Sequence, residues 1–495
     1  MLPIRYPDNM FFHCNSICKI MQSNLSYTLI IGGTLLLASC DLVAPGDNEN
    51  PNVTEDGYLQ GGNAMDTWVN GAEKTLALTV GDFCLQTEII SDNYFNNYTR
   101  ESKLFDEPRI LYNDPDVNGL ERAVQQLRAT ADFAFDKVSK YDKNVTKAQL
   151  FKLHTIKAYG FLLGGENFMA LPVSKRGAVK TWQELLQLAL QSLGESEKYA
   201  ANDTLRSFVH TLKARTYYRL GKVDEALEES GMALKLCDNL LWQVQFDGSN
   251  SVFNAMQDDI WKALYQPLPR LNFLNPKYVQ LTSTYESPIC IAKAEENYLI
   301  MAEALLAKKE TDKCKAQLKQ LLGLVKSRPV RHDVKDWAKT RAVGGIKEYP
   351  DGAAYTVAAS PGEPYREGLV LSRKKPQVVS VPTVSGTSVT TEMINQCQSH
   401  DALLELIYLM RQEIFIAEGR RMNDLGIRLP ISEVEAKVNP AAAPYIKAHI
   451  PTFIPLGQGM DAFELDKKNL RVTIQYNMNH LIVSNKTTAD VVPFE

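Results

Sequence analysis

The 495-residue chain lacks most of the features that fix a function early. Its conspicuous apolar run, Tyr27 to Leu37, falls short of the ~20 residues that cross a bilayer as a helix. That excludes a helical span there and leaves the length of a signal-peptide core. It also lacks an excess of one charge: 54 basic residues stand against 58 acidic ones, a net charge of −4, so the electrostatic footprint of a nucleic-acid partner is missing. Of the eight cysteines, Cys84, Cys237, Cys290, Cys314 and Cys397 lie beyond the first 40 residues. Their odd number and wide spacing fit neither a dense disulfide framework nor a zinc site, and most are expected as small buried apolar side chains. There is no HExxH, no GxSxG elbow and no phosphate-binding GxxxxGK, and His154, His210, His332, His400, His449 and His480 are dispersed. The sequence therefore proposes no catalytic residue, no metal and no cofactor. With 45% hydrophobic and 23% charged residues, it retains the composition of an ordinary globular protein, long enough for two intimately packed lobes.

What is present begins with "TLIIGGTLLLASCDLVAPGDNEN". Arg5 and Lys19 supply a positive region, Tyr27 to Leu37 an apolar core, and Ala38 and Ser39 the small residues that a signal peptidase requires. Leu37-Ala38-Ser39-Cys40 resembles a bacterial lipobox, which implies cleavage before Cys40 and acylation, palmitate included, of the new N-terminus. Several acyl chains hold a protein to a membrane far better than one. Residues 1–39 are thus expected to be a lipoprotein signal. Residues 40–56 follow as the acylated Cys40 and a flexible tether, acidic and without a basic residue. Residues 57–495 remain for the folded domain.

Within that domain the helical signals come in pairs. Leu120, Val124, Leu127, Ala131 and Phe135 recur at helical spacing. The next helix, in "AQLFKLHTIKAYGFLLGGENFMALPVSKRG", is expected to end at Gly164-Gly165, ahead of Pro172. Then Ala214, Tyr217 and Leu220, a Gly221-Lys222 turn, and Ala226, Leu227 and Ala233 give small residues where helices cross, the pattern of a tetratricopeptide pair. A further pair begins with Tyr298, Met301, Ala302 and Leu305 and turns at Lys308 to Thr311. A last helix, "DALLELIYLMRQEIFIAEGRRMNDLGIRLP", is expected to run until Gly426 and Pro430 end it. Between these helices, residues 246–288 and 341–397 are poor in helical pattern. Irregular stretches of such length are usually functional or disordered. The predicted fold is therefore mainly α, a helical scaffold supporting a loop-rich lobe.

The lipobox with its acidic tether, "GENFMALPVSKRG", "AEENYLIMAEALLAKK" and "RQEIFIAEGRRMNDLGIR" together resemble the SusD/RagB outer-membrane nutrient-binding lipoproteins of Bacteroidetes, over nearly all of residues 40–495. The most specific part is Tyr298-Leu299-Ile300 with Ala302-Glu303-Ala304-Leu305, followed downstream by Glu418-Gly419, Arg421 and Asp424-Leu425. Departures are Met410 where the family carries an acid before the matching Arg411, an acid displaced to Glu413, and Met422 in place of an aromatic residue. The resemblance implies tetratricopeptide-like helix pairs forming a right-handed helical scaffold. It also implies an outer-membrane, lipid-anchored location facing the cell exterior, and a partnership with a SusC-like TonB-dependent transporter to which an oligosaccharide or peptide is delivered. A lipid-anchored tetratricopeptide scaffold for another protein is the alternative; a surface hydrolase is a distant third.

Two constellations stand out. In "EGRRMNDLG", Arg420 and Asp424 are four apart and Glu418 and Arg421 three apart, so on a helix both pairs can meet at the surface, and Arg421 and Asp424 are expected to brace helix to loop. In "SDNYFNNYTRES", Tyr94, Asn97, Tyr98 and Arg100 combine aromatic faces, which cover sugar C–H groups, with amide and guanidinium donors for hydroxyls. Alternatively, Tyr94 and Tyr98 anchor their loop to the core. Trp261 and Tyr265, four apart, would share a face if their segment were helical, as ligand contacts or as core. Tyr278, Tyr285, and Tyr365 with Arg366 are further loop candidates.

Overall fold

The helical periodicity becomes helices whose ends are set by capping side chains. In the computed structural model, which describes residues 63–97, 103–279, 284–336, 348–374, 376–457 and 459–495, α1 spans Ala64–Ile89 and α2 spans Pro115–Phe133. Helix α2 opens with an Asp114 cap and Pro115 in its first turn, and buries Val117 with the predicted Leu120, Val124, Leu127 and Ala131, whereas the predicted Phe135 falls in the π-helical turn beyond it and is half-buried. Residues 1–39, expected as a signal, and residues 40–56, expected as Cys40 with its tether, lie outside the described residues, as do Tyr98 and Arg100. Everything described belongs to one compact unit, Leu59–Glu495.

Helix α3 (Lys147–Asn167) starts at a capping box of Thr146 and Gln149, and α4 (Trp182–Glu197) at a second one of Thr181 and Glu184. Gly164 and Gly165 do not end α3, which continues through them to Asn167. Their role is close approach: a Cβ on Gly165 would come within 2.7 Å of the Leu186 side chain and 2.9 Å of the Trp182 carbonyl oxygen. Helices α5 (Asp203–Arg219) and α6 (Val223–Leu236) are the tetratricopeptide-like pair, turning at Gly221 with φ +70°. Helices α7 (Ala294–Ala307) and α8 (Thr311–Ser327) turn where expected. The two pairs share a core of Ala214, Tyr218, Ala226, Ile300 and Ala304, closed by Phe494. On α7 Leu299, Ile300, Ala304 and the predicted Ala302 have no exposed surface and the predicted Leu305 is buried, whereas the predicted Tyr298 and Met301 are half-buried.

The last predicted helix breaks in two. Helix α9 (His400–Ile414) stops, the chain reverses through Ala417 (φ +58°) and Gly419 (φ +68°), and α10 (Arg421–Asp424) follows as a single turn. Close to the C-terminus, α11 (Met478–Ser484) packs on α9. The two pattern-poor stretches hold short helices and small sheets. Strand β1 (Tyr94–Asn96) pairs antiparallel with β2 (Tyr265–Pro267). Strand β3 (Thr356–Ala358) lies parallel to the inner strand of a hairpin made of β4 (Phe463–Asp466) and β5 (Arg471–Ile474). All five cysteines in the described residues are free thiols, and Cys84, Cys290 and Cys314 are buried.

The motif helix α7 owes its character to three buried acids. Glu295 receives both arms of Arg328 at 2.7 Å, Glu296 receives Arg215 at 2.5 Å, and Glu303 accepts the Tyr218 hydroxyl at 2.9 Å. The first two are answered by guanidinium groups; Glu303 is not, and one of its oxygens has no partner. Burial pushes the Glu303 carboxyl up to about 7. A raised folded-state value means that the neutral acid is favoured in the fold. Its contribution is full below the unfolded value and is lost as pH rises through about 7. Glu303→Gln is therefore expected to flatten the fall in stability between about pH 4.5 and 7 and to exceed wild type at pH 8 by at most about 3 kcal/mol. Denaturant melts across that range test this. An unchanged slope would contradict it, although Glu88 and Glu121, also raised to about 7, keep a residual slope.

Candidate ligand-binding site

The segment that leaves α1 turns inward. Ser91 to Asn97 are all buried, and the β1–β2 pairing sets Asn96 opposite Tyr265 and Tyr94 opposite Pro267. The two aromatic stretches that the sequence singled out are thus brought together. Tyr94 has no exposed surface, its hydroxyl points to the Asn275 side chain at 3.5 Å, and burial raises its pKa. The backbone of Asn97, also buried, donates to Leu264 at 2.9 Å. Tyr94 therefore takes the anchoring role, and Tyr265, also buried, offers no open face in this conformation. Trp261 ends the helix Ala255–Trp261 and is half-buried. Because that helix stops before Tyr265 enters its strand, the two do not share a helical face. Tyr278 is buried and bonds the Ala417 carbonyl at 2.6 Å, and the exposed Tyr365 bonds Thr473 at 2.7 Å.

The charged residues of "EGRRMNDLG" do not pair with one another on a surface. Glu418 accepts from Lys277 and Lys293, Asp424 binds Arg411 at 2.8 Å and Arg219 at 3.1 Å, and Arg420 donates to the Ile291 carbonyl at 2.9 Å. The break after Ile414 removes the helical register that the expected pairs required. Arg421 reaches back to Asp92, at 2.6 and 3.0 Å. Asp92 also accepts from Gln412 at 2.8 Å, and Gln412 in turn accepts from Asn479 at 2.9 Å. A buried relay therefore runs from the "SDNYFNN" segment through α9 to α11.

Asn479 opens onto a cavity of about 330 Å³. Its apolar walls are Val357, Ala359, Pro364 and Leu369 from the long insertion, Met393, and Ala402, Leu406 and Leu409 of α9. Its polar groups are Arg270, Glu363, Arg366, Glu405, Asn477 and Asn479. A few convergent polar groups on an apolar wall are what small-ligand sites share. Glu363 accepts from Ser360 at 2.7 Å and Asn477 at 2.9 Å, and Glu405 from Asn477 at 3.0 Å and His480 at 3.1 Å. Arg366 donates to the Ser388 carbonyl at 2.9 Å. Two larger clefts, of about 750 and 820 Å³, include residues of α2 and α1 respectively; of these three, the smaller cavity is lined by both pattern-poor stretches. Of its polar groups the sequence singled out Arg366 alone. Arg270, in "PLPRLNFLNP", carried no signal beyond being a lone charge among apolar residues, and Asn477 and Asn479 none at all.

No family model and no curated protein matches the chain. Solved structures do. A SusD-like protein from Bacteroides fragilis NCTC 9343 aligns with 11% identity over 76% of this chain and 88% of its own, at a TM-score of 0.50. A SusD superfamily protein from Bacteroides fragilis has 14% identity over 77% and 98%, at 0.49. A SusD-like carbohydrate binding protein from Bacteroides vulgatus ATCC 8482 has 12% identity over 73% and 82%, at 0.45. The fold is that of the SusD-like proteins, mainly α with tetratricopeptide-like helix pairs.

Proposed function

We propose that the chain is a cell-surface nutrient-binding lipoprotein of the SusD type. In this reading it captures an oligosaccharide and delivers it to a SusC-like TonB-dependent barrel in the outer membrane, held there through an acylated Cys40. Binding, not bond cleavage, is its task. The observation that carries the reading is the cavity: an irregular lobe on a helical scaffold places several hydroxyl-bonding side chains on an apolar wall. Trp261, Tyr98 and Arg100 are proposed as ligand contacts, while Tyr94 and Tyr265 belong to the strand pair β1–β2, beside which Asn97 is buried. A peptide ligand is the competing cargo.

The test has two parts. Purified full-length protein is titrated against glycans and peptides, and the same protein, tagged, is recovered from solubilised outer membrane. Saccharide binding together with co-purification of a TonB-dependent barrel is the expected result. Recovery without any barrel, from membranes in which the protein is abundant, would remove the transport role.

A further inference from the structure

Arg270 is a buried cation that the fold leaves unanswered. Only 7% of its surface is exposed, it lines the cavity, and among the described residues it has neither a hydrogen-bond acceptor nor an ion-pair partner. The other buried arginines of the described residues all find an acceptor: Arg215 is met by Glu296, Arg411 by Asp424, Arg373 by Asp336 and Arg421 by Asp92, while Arg128 and Arg420 donate to the Pro172 and Ile291 carbonyls. A desolvated guanidinium without a counter-charge is costly, and such groups are usually paired. The acids that act on Arg270 most are Glu413 and Asp92. Both are engaged elsewhere, Glu413 by Thr387 and Ser388 and Asp92 by Arg421 and Gln412. Arg366 and Arg421 add positive charge to the same region, and burial lowers the Arg270 pKa.

We infer that Arg270 receives the carboxylate of an acidic saccharide, through the planar fork that a guanidinium presents to two oxygens. The cavity also selects for hydroxyl groups. Glu363 and Glu405 are acceptor-only when ionised and keep lone-pair capacity beyond their present bonds. A ligand must therefore bring one anionic group and several donors, the inventory of a uronic-acid-type sugar. The volume, near the lower end of the ~300–1,000 Å³ usual for ligand pockets, suits one such unit better than a peptide. This inference rests on the nutrient-binding reading and names the cargo of the same site.

The test compares a uronate-containing oligosaccharide, its neutral counterpart with a hydroxymethyl group in place of the carboxylate, and an acidic peptide, each titrated into the full-length chain. The uronate is expected to bind at least about tenfold tighter than the neutral sugar, the range of a charge-assisted bond. In Arg270→Gln the ratio of the two affinities should collapse toward one, and Arg270→Lys should restore part of it. Thermal melts of Arg270→Gln without ligand should equal or exceed wild type, because an unpaired buried charge has been removed. A lower melt, or an unchanged preference for the uronate, would overturn the inference, as would Arg270-dependent binding of the peptide alone. Neutral and acidic sugars binding equally to wild type would sink the carboxylate assignment and leave the nutrient reading standing; binding of neither sugar, with no barrel recovered, would remove both.

Discussion

Glu418→Gln is expected to destabilise the fold by about 3–5 kcal/mol, the cost of breaking a buried ion pair from one side. One carboxylate oxygen of Glu418 serves both Lys277 and Lys293, whose side chains are only 4% and 1% exposed. With the acid gone, the two ammonium groups keep backbone carbonyls as their remaining partners, at Ile416 for Lys277 and at Ile414 and Val384 for Lys293. They also repel one another at close range in a poorly solvated site. Burial already lowers the Lys277 pKa, so the variant should relieve itself by losing a proton there. The folded form then holds fewer protons than the unfolded chain, and stability of the variant should rise with pH below the ordinary lysine range. Urea melts at several pH values measure both effects. A loss under about 1 kcal/mol would show that the carbonyls alone satisfy the lysines.

That such a triad exists was not legible in the sequence, and the reason is general to this molecule. Helix pairs announce themselves locally: Ala214, Ala226 and the Gly221 turn are spaced by helix geometry, and they fall in the shared core as read. The SusD-like fold followed from such signals together with the order of two motifs. Partners of buried charges are set by tertiary packing instead. Asp92 and Arg421 are separated by 329 positions, Lys293 and Glu418 by 125. A rule based on neighbours three or four apart found pairs among Glu418, Arg420, Arg421 and Asp424 because they are close in sequence. The positive-φ turn at Ala417 and Gly419 undoes that closeness. Gly419 is required there for a second reason, since a Cβ would lie 3.2 Å from the Cys84 Cα. The glycines of α3 illustrate the same limit. Gly164-Gly165 read as a stop, yet neighbouring α4 needs their missing side chains more than α3 needs better helix formers.

The departures from the family pattern also have local explanations. Met410 and Met422 are fully buried, where an acid would need a partner of its own. Glu413, the displaced acid, uses both oxygens on Thr387 and Ser388. It thereby ties the insertion to α9 where the cavity wall forms. The insertion's sequence, rich in Ser, Thr, Gly and Pro, disclosed a loop; which helix would hold it depended on a contact between residues 25 and 26 positions apart.

Asp92→Ala should carry the second large effect, and it should be felt in the cavity as well as in stability. Asp92 accepts from Arg421 and Gln412, and Gln412 fixes Asn479 at the cavity. Removing the carboxylate strands Arg421, whose side chain is 1% exposed, at an expected cost of about 3–5 kcal/mol. Arg421→Met removes the other partner and should cost a similar amount. The double variant should cost less than the sum of the two, by about 1–3 kcal/mol, since the charge is stranded only once. Full additivity would mean that the pair is not coupled. The relay adds a consequence that the ion pair alone does not have. In Asp92→Ala the Gln412 amide loses its acceptor and is free to rotate, so Asn479 loses a fixed orientation and any saccharide bound in the cavity should dissociate faster. Arg421→Met leaves Asp92 bonded to Gln412 and should disturb binding less at equal loss of stability. Dissociation rates of the two single variants, matched for fraction folded, separate a cavity support from a purely structural ion pair: equal rates would confine Asp92 to the core.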